Sequence, residues 1–199
     1  MHISEGILSA PVLIAEAGIT AAAVSYSIKK INYKQMPKVA ILSSAFFVAS
    51  LIHIPIGLSS VHLILNGVIG VLLGWSAFPA ILVALTFQAV LFQFGGLTTL
   101  GVNTFSMAFP AIICFYLFHQ VIKGKNNFIA LIAAFTCGFS AVMFSAIFTA
   151  IALSFTGEAF TTIAKLIVIA HLPVMLIEGI LTAFCIGFLR KVRPEILSI

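Results

Sequence analysis

The chain begins Met1-His2-Ile3-Ser4-Glu5-Gly6, which places an α-amino group one residue away from an imidazole. With that amine at the start of the chain, Met1 N, the His2 backbone nitrogen and His2 Nδ1 can close two fused chelate rings on one metal ion. A divalent ion late in the first-row series displaces the amide proton and leaves an in-plane set of nitrogens. Square-planar or tetragonal nitrogen coordination suits Ni2+ or Cu2+, with Co2+ next. A fourth nitrogen has to come from elsewhere, and His53 and His62 both offer one, with Ser59 and Ser60 shortly before His62. Chance alone also produces a second-position histidine, so the elements around it have to carry the argument.

Those elements are membrane helices. The 199 residues are 62% hydrophobic and 8% charged, with a mean hydropathy of +1.24, whereas about a quarter of the residues in a soluble domain are charged. The formal charge of +5 does not point to nucleic acid, because the basic residues fall in short clusters between apolar runs and do not interleave with aromatics. Cys114, Cys137 and Cys185 lie inside apolar runs without paired spacing and read as small buried side chains. No Lys or Arg precedes Lys29, and the run from Ile7 to Ile28, interrupted by Glu16, is long enough to span a bilayer. Residues 1–25 are therefore expected to stay as part of a first helix and not to be removed as a signal.

The pattern predicts an all-α integral membrane protein, one polytopic domain over 1–199 with about seven transmembrane helices. The spans are about 7–28, 39–54, 63–76, 77–94, 104–122, 128–154 and 166–189. The second ends at His53-Ile54-Pro55-Ile56-Gly57, followed by a polar kink to His62. The third is short, so it must tilt or be shielded by protein, as segments beside binding sites often are. Gly70 and Gly74 in it, and Ala17 and Ala21 in the first span, have the spacing of close helix contacts. Gly95–Asn103 reads as a re-entrant or capping loop. Lys29, Lys30, Lys34, Lys38, Lys123, Lys125, Arg190, Lys191 and Arg193 follow spans one, five and seven, leaving Lys165 on the other side. Basic loops face the cytoplasm, which puts the N-terminus, His53 and His62 outside and the C-terminus in the cytoplasm.

Among five acids, Glu16 and Glu178 fall inside predicted helices, where an ionisable group costs several kcal/mol. His171 lies two helical turns before Glu178 on the same face, and a structural polar pair is preferred to a proton or metal relay. His119 falls at the opposite, cytoplasmic end and is set aside. No HExxH, GxSxG or phosphate-binding loop occurs, so neither an enzyme nor an ATPase is expected. A self-sufficient proton-coupled metal carrier, running through Glu16, Glu178 and His171, is the alternative reading.

The motifs together resemble the CbiM/NikM family, the substrate-binding S components of cobalt and nickel energy-coupling-factor (ECF) transporters. The resemblance runs nearly the whole chain: Met1–Gly6, Ser59-Ser60-Val61-His62-Leu63 with Asn66-Gly67, Gly95–Thr104, Ala170-His171-Leu172-Pro173, Glu178-Gly179 and Arg190–Glu195. It implies Met1, His2 and His62 as metal ligands, with Ni2+ or Co2+ as transported cargo and no resident cofactor. A first helix added to six would then insert the N-terminus into the bundle. His53, Glu5, Ser60 and Asn103 are expected to support the site. Implied partners are a transmembrane coupling subunit, two ATP-binding cassette ATPases and a small accessory membrane protein, expected as a separate chain because this one ends at Ile199. The location implied is the cytoplasmic membrane of a bacterium or archaeon. Nickel against cobalt, and the use to which the metal is put, stay open.

Overall fold

The computed structural model describes residues 2–56, 59–157 and 160–197, with side chains throughout except at 53–61 and 161. Eight α-helices carry most of these residues: α1 (Ala10–Lys30), α2 (Met36–Ala49), α3 (Asn66–Leu73), α4 (Ala77–Phe92), α5 (Leu100–Ile122), α6 (Asn127–Thr156), α7 (Thr161–Ala170) and α8 (Leu172–Val192). Among the described residues, five helical stretches are long and apolar enough to cross a membrane: Ala10–Lys30, Asn66–Phe92, Leu100–Ile122, Asn127–Thr156 and Thr162–Val192. The expected second span is shorter than read, since α2 stops at Ala49.

Beyond α2 the chain forms a short antiparallel ribbon of β1 (His53–Ile56) and β2 (Ser59–His62), in the register His53↔His62, Ile54↔Val61, Pro55↔Ser60 and Ile56↔Ser59. This replaces the end of the second helix and the polar kink expected from sequence. Pro55 cannot extend a helix and biases the residue before it to extended backbone. Ile54, Ile56 and Val61 are β-branched and favour the same conformation.

Helix ends follow local chemistry. Pro11 starts α1, and Lys29 and Lys30 close it where cations meet the negative end of the dipole. The Asn126 side chain caps α6 by accepting from Phe128 N at 2.9 Å and Ile129 N at 3.2 Å. Pro173 bars one continuous helix through His171, so the last stretch is two helices, α7 and α8.

Hydrogen bonds between elements fix the direction of each helix. At one end of the bundle, Ser9 N donates to Thr156 Oγ1, and His2 meets Gln88. At the other end, Ser27 Oγ donates to Trp75 O, Lys38 Nζ to Ile196 O, and Arg190 to Ile122 O, Gly124 O and the Asn127 side chain. The short α3 runs from the level of Met107, where Asn66 Nδ2 donates to the carbonyl at 3.2 Å, to that of His119, whose Nδ1 meets Val71 O at 3.1 Å. The chain then reverses at Gly74, and α4 returns to Gln88 at the His2 end. The basic clusters thus gather at the end away from His2.

Helix α3 is shielded by protein, as its length required. Asn66 through Val71 are all buried, packed against α5, α6 and α8. A Cβ added at Gly67 would stand 2.7 Å from Gly138 Cα, so only two facing glycines allow α3 and α6 to approach this closely. In a bilayer such close packing, with interhelical hydrogen bonds, takes over much of what the hydrophobic effect does in water.

Candidate metal centre

His2 and His62 meet at the end of the bundle opposite the basic clusters. Their ring centroids are 4.6 Å apart with the planes inclined by 36°. Residues 2–9 bring in one imidazole, and the last residue of β2 brings in the other, which is 2% exposed. Met1 lies outside the described residues, as do the side chains of His53 and Ser60. The ribbon register sets His53 directly across from His62.

Each imidazole has a partner that assigns its tautomer. His2 Nε2 is 2.7 Å from Gln88 Oε1. Gln88 is oriented in turn, because its Nε2 donates to Ser50 Oγ while that hydroxyl donates to Phe47 O at 2.9 Å. An amide oxygen only accepts, so His2 carries its proton on Nε2 and its lone pair on Nδ1, the atom a chelate with the main chain needs. His62 Nδ1 is 3.0 Å from Leu63 O, which puts that proton on Nδ1 and the lone pair on Nε2. Ligand histidines are ordinarily held this way, with the second ring nitrogen donating to an acceptor.

Sequence reasoning missed Gln88 and Ser50. Both are fully buried and remote in sequence from His2. The available signal was a glutamine inside an otherwise apolar helix, whose amide has to be satisfied within the bundle.

The N-terminal strand is fastened through its backbone. Asn103 Oδ1 accepts from Ile3 N at 2.9 Å and Asn103 Nδ2 donates to Ile3 O at 3.1 Å, a two-point contact that mimics strand pairing. Glu5 Oε1 accepts from Thr98 N at 3.1 Å. Gly96, at φ +149°, lies against the Glu5 side chain with no room for a Cβ. Residues 95–103 therefore fold over residues 2–5, with Phe94 at 6.2 Å from the His2 ring. Ile3 and Leu8 are buried with Val102, Leu153 and Ala164, which seats the segment on α5, α6 and α7.

His171 and Glu178 do not form the pair expected from their spacing. His171 sits at the break between α7 and α8, and its Nδ1 turns back to Ile167 O at 2.7 Å. Glu178 Oε1 accepts from Ile64 N and Leu65 N, in the segment after His62. The spacing argument assumed one continuous helix, which Pro173 prevents.

Among the described residues, no three His, Cys, Asp or Glu side chains gather into a metal site. Two imidazoles alone hold a transition metal poorly, so a metal at this place needs further donors.

Residues 2–196 match the family model described as CbiM, the cobalt uptake substrate-specific transmembrane region. A Haemophilus influenzae protein named for metal transport is 36% identical over all of this chain and 97% of its own length. The cobalt transport protein CbiM of Sorangium cellulosum is 34% identical, covering 81% of this chain and 76% of its own. A crystal structure of a transition metal transporter superposes with a TM-score of 0.83 at 26% identity, covering 96% of this chain and 93% of that one.

Proposed function

Because this chain belongs to the CbiM family of cobalt-uptake substrate-specific transmembrane proteins, we propose that it captures Ni2+ or Co2+ outside the cytoplasmic membrane and passes the ion inward. The observation that carries this reading is the placement of His2 beside His62 with their lone pairs on Nδ1 and Nε2. In the proposed complex, Met1 N, His2 N and His2 Nδ1 take three successive corners around the ion, and His62 Nε2 takes the fourth. That corner is next to the His2 ring. With metal–nitrogen bonds of about 2 Å, imidazoles on adjacent corners have centroids about 4.4 Å apart, and on opposite corners about 6 Å. The 4.6 Å separation fits the adjacent arrangement.

The basic clusters at the far end support an orientation with His2 outside and the C-terminus in the cytoplasm. The reversals of direction, α3 and α4 included, support about seven passes, with α2 and α3 as short, protein-flanked ones. Residues 95–103 close the site, so release of the ion needs a movement of the whole subunit. In this reading a transmembrane coupling subunit and two ATP-binding cassette ATPases drive that movement, with a small accessory membrane protein completing the assembly in a bacterial or archaeal membrane.

Uptake into vesicles tests the proposal. Proteoliposomes holding the full assembly should accumulate radioactive Ni2+ or Co2+ only with ATP. Vesicles with this chain alone should accumulate none under an imposed pH gradient. Uptake by the chain alone would establish a proton-coupled carrier instead.

A further inference from the structure

The short link between His62 and α3 is held in an unfavourable backbone. Leu65, the residue immediately before α3, has φ 53° and ψ 17°, the left-handed region that a bulky side chain rarely enters. No side chain of α3 caps its start. A carboxylate from another helix does the work instead: Glu178 of α8, fully buried, accepts the backbone N–H groups of both Ile64 and Leu65 on its Oε1, the second at 2.9 Å. Its Oε2 has no hydrogen-bond partner among the described residues, so every protein hydrogen bond of this carboxyl goes to that link. On the other side of the link, Leu63 O fixes the His62 ring.

We propose that Glu178 is the positioning residue for His62: by pinning Ile64 and Leu65 it sets the carbonyl of Leu63 and, through it, the direction of the His62 ring. The assignment deepens the reading of His62 as a metal ligand and rests on it. One consequence is mechanical. Helix α8 reaches the basic end of the bundle, where Arg190 holds the carbonyls of Ile122 and Gly124, so displacement of α8 is transmitted to the ligand.

The test is a double-mutant cycle on the full chain in detergent, reading Ni2+ affinity and the Ni2+ absorption spectrum. Glu178→Ala should lower affinity about 10–100-fold, the range seen on losing a ligand's support, and should shift the spectrum toward that of His62→Ala. In the His62→Ala background the same change should add little. Glu178→Gln, which keeps an acceptor oxygen, should restore the parental spectrum and most of the affinity. If Glu178→Ala does not fold, Glu178→Asp, one methylene short of the link, takes its place with the same expectations. Equal losses from Glu178→Ala in both backgrounds would overturn the proposal, as would a Gln variant as impaired as Ala. If His62→Ala itself leaves affinity and spectrum unchanged, the ligand assignment falls first; if only the Glu178 variants are silent, the positioning role alone falls.

Discussion

Gln88 holds the His2 ring with its Oε1 2.7 Å from His2 Nε2, and so determines which imidazole nitrogen donates and which keeps its lone pair. The hydroxyl of Ser50 prevents the amide from turning over. Gln88→Met keeps the bulk but cannot accept a hydrogen bond. It should weaken Ni2+ binding about 10–100-fold in a competition titration with a chromogenic chelator. Affinity unchanged in that variant would remove Gln88 from the account.

Asn103 contributes by satisfying both backbone groups of Ile3. Asn103→Leu strands a buried donor and acceptor, each costing about 1–3 kcal/mol unless the strand leaves its seat. The strand should leave, and amide exchange at residues 3–5 should speed up while metal affinity falls. Slow exchange with lost affinity would point to a different role for Asn103.

Proton competition sets the sign of the pH dependence. Each nitrogen binds the ion through a lone pair that a proton would otherwise occupy, so protons compete with the metal and acid opposes binding. Apparent Ni2+ affinity should fall steadily from pH 8 to pH 5. A flat profile would mean that ligands other than these nitrogens hold the ion.

The fit of α3 against α6 predicts a stability effect separate from binding. Gly67→Ala drives a methyl against Gly138 and should cost about 1–3 kcal/mol, visible as a lower melting temperature in detergent. Gly18→Ala, inside α1 with open space at that position, should leave melting unchanged or raise it. Equal melting of the two variants would contradict the close packing of α3.

Much of this architecture could be read from the chain because apolar runs and basic clusters are local signals. The run before Lys29 marks α1 closely, the run before Arg190 finds the last helical stretch but not its division into α7 and α8, and the shortness of the third run already calls for protein around it. The ribbon of His53–Ile56 and Ser59–His62 is hidden in the sequence because its two strands are brief and its proline and serines look like an ordinary helix end. Residue type and resemblance single out His2, His62, Glu5 and Asn103, which the structure places at one end of the bundle. They do not single out Gln88, Ser50 or the true partners of Glu178, since each depends on contacts between helices far apart in sequence. Pattern shows that a buried polar group needs a partner but not which one.

In the proposed site the chain's own amino end is part of the metal's coordination, and one added residue tests it. The protein starting at Met1 and a version with a single glycine before Met1 should be compared for Ni2+ and Co2+ affinity. The extension moves the amine and breaks the fused rings while leaving His2, His62 and Gln88 in place. The extended protein should lose tight binding. Undiminished binding would contradict the proposed site and move it to side chains alone.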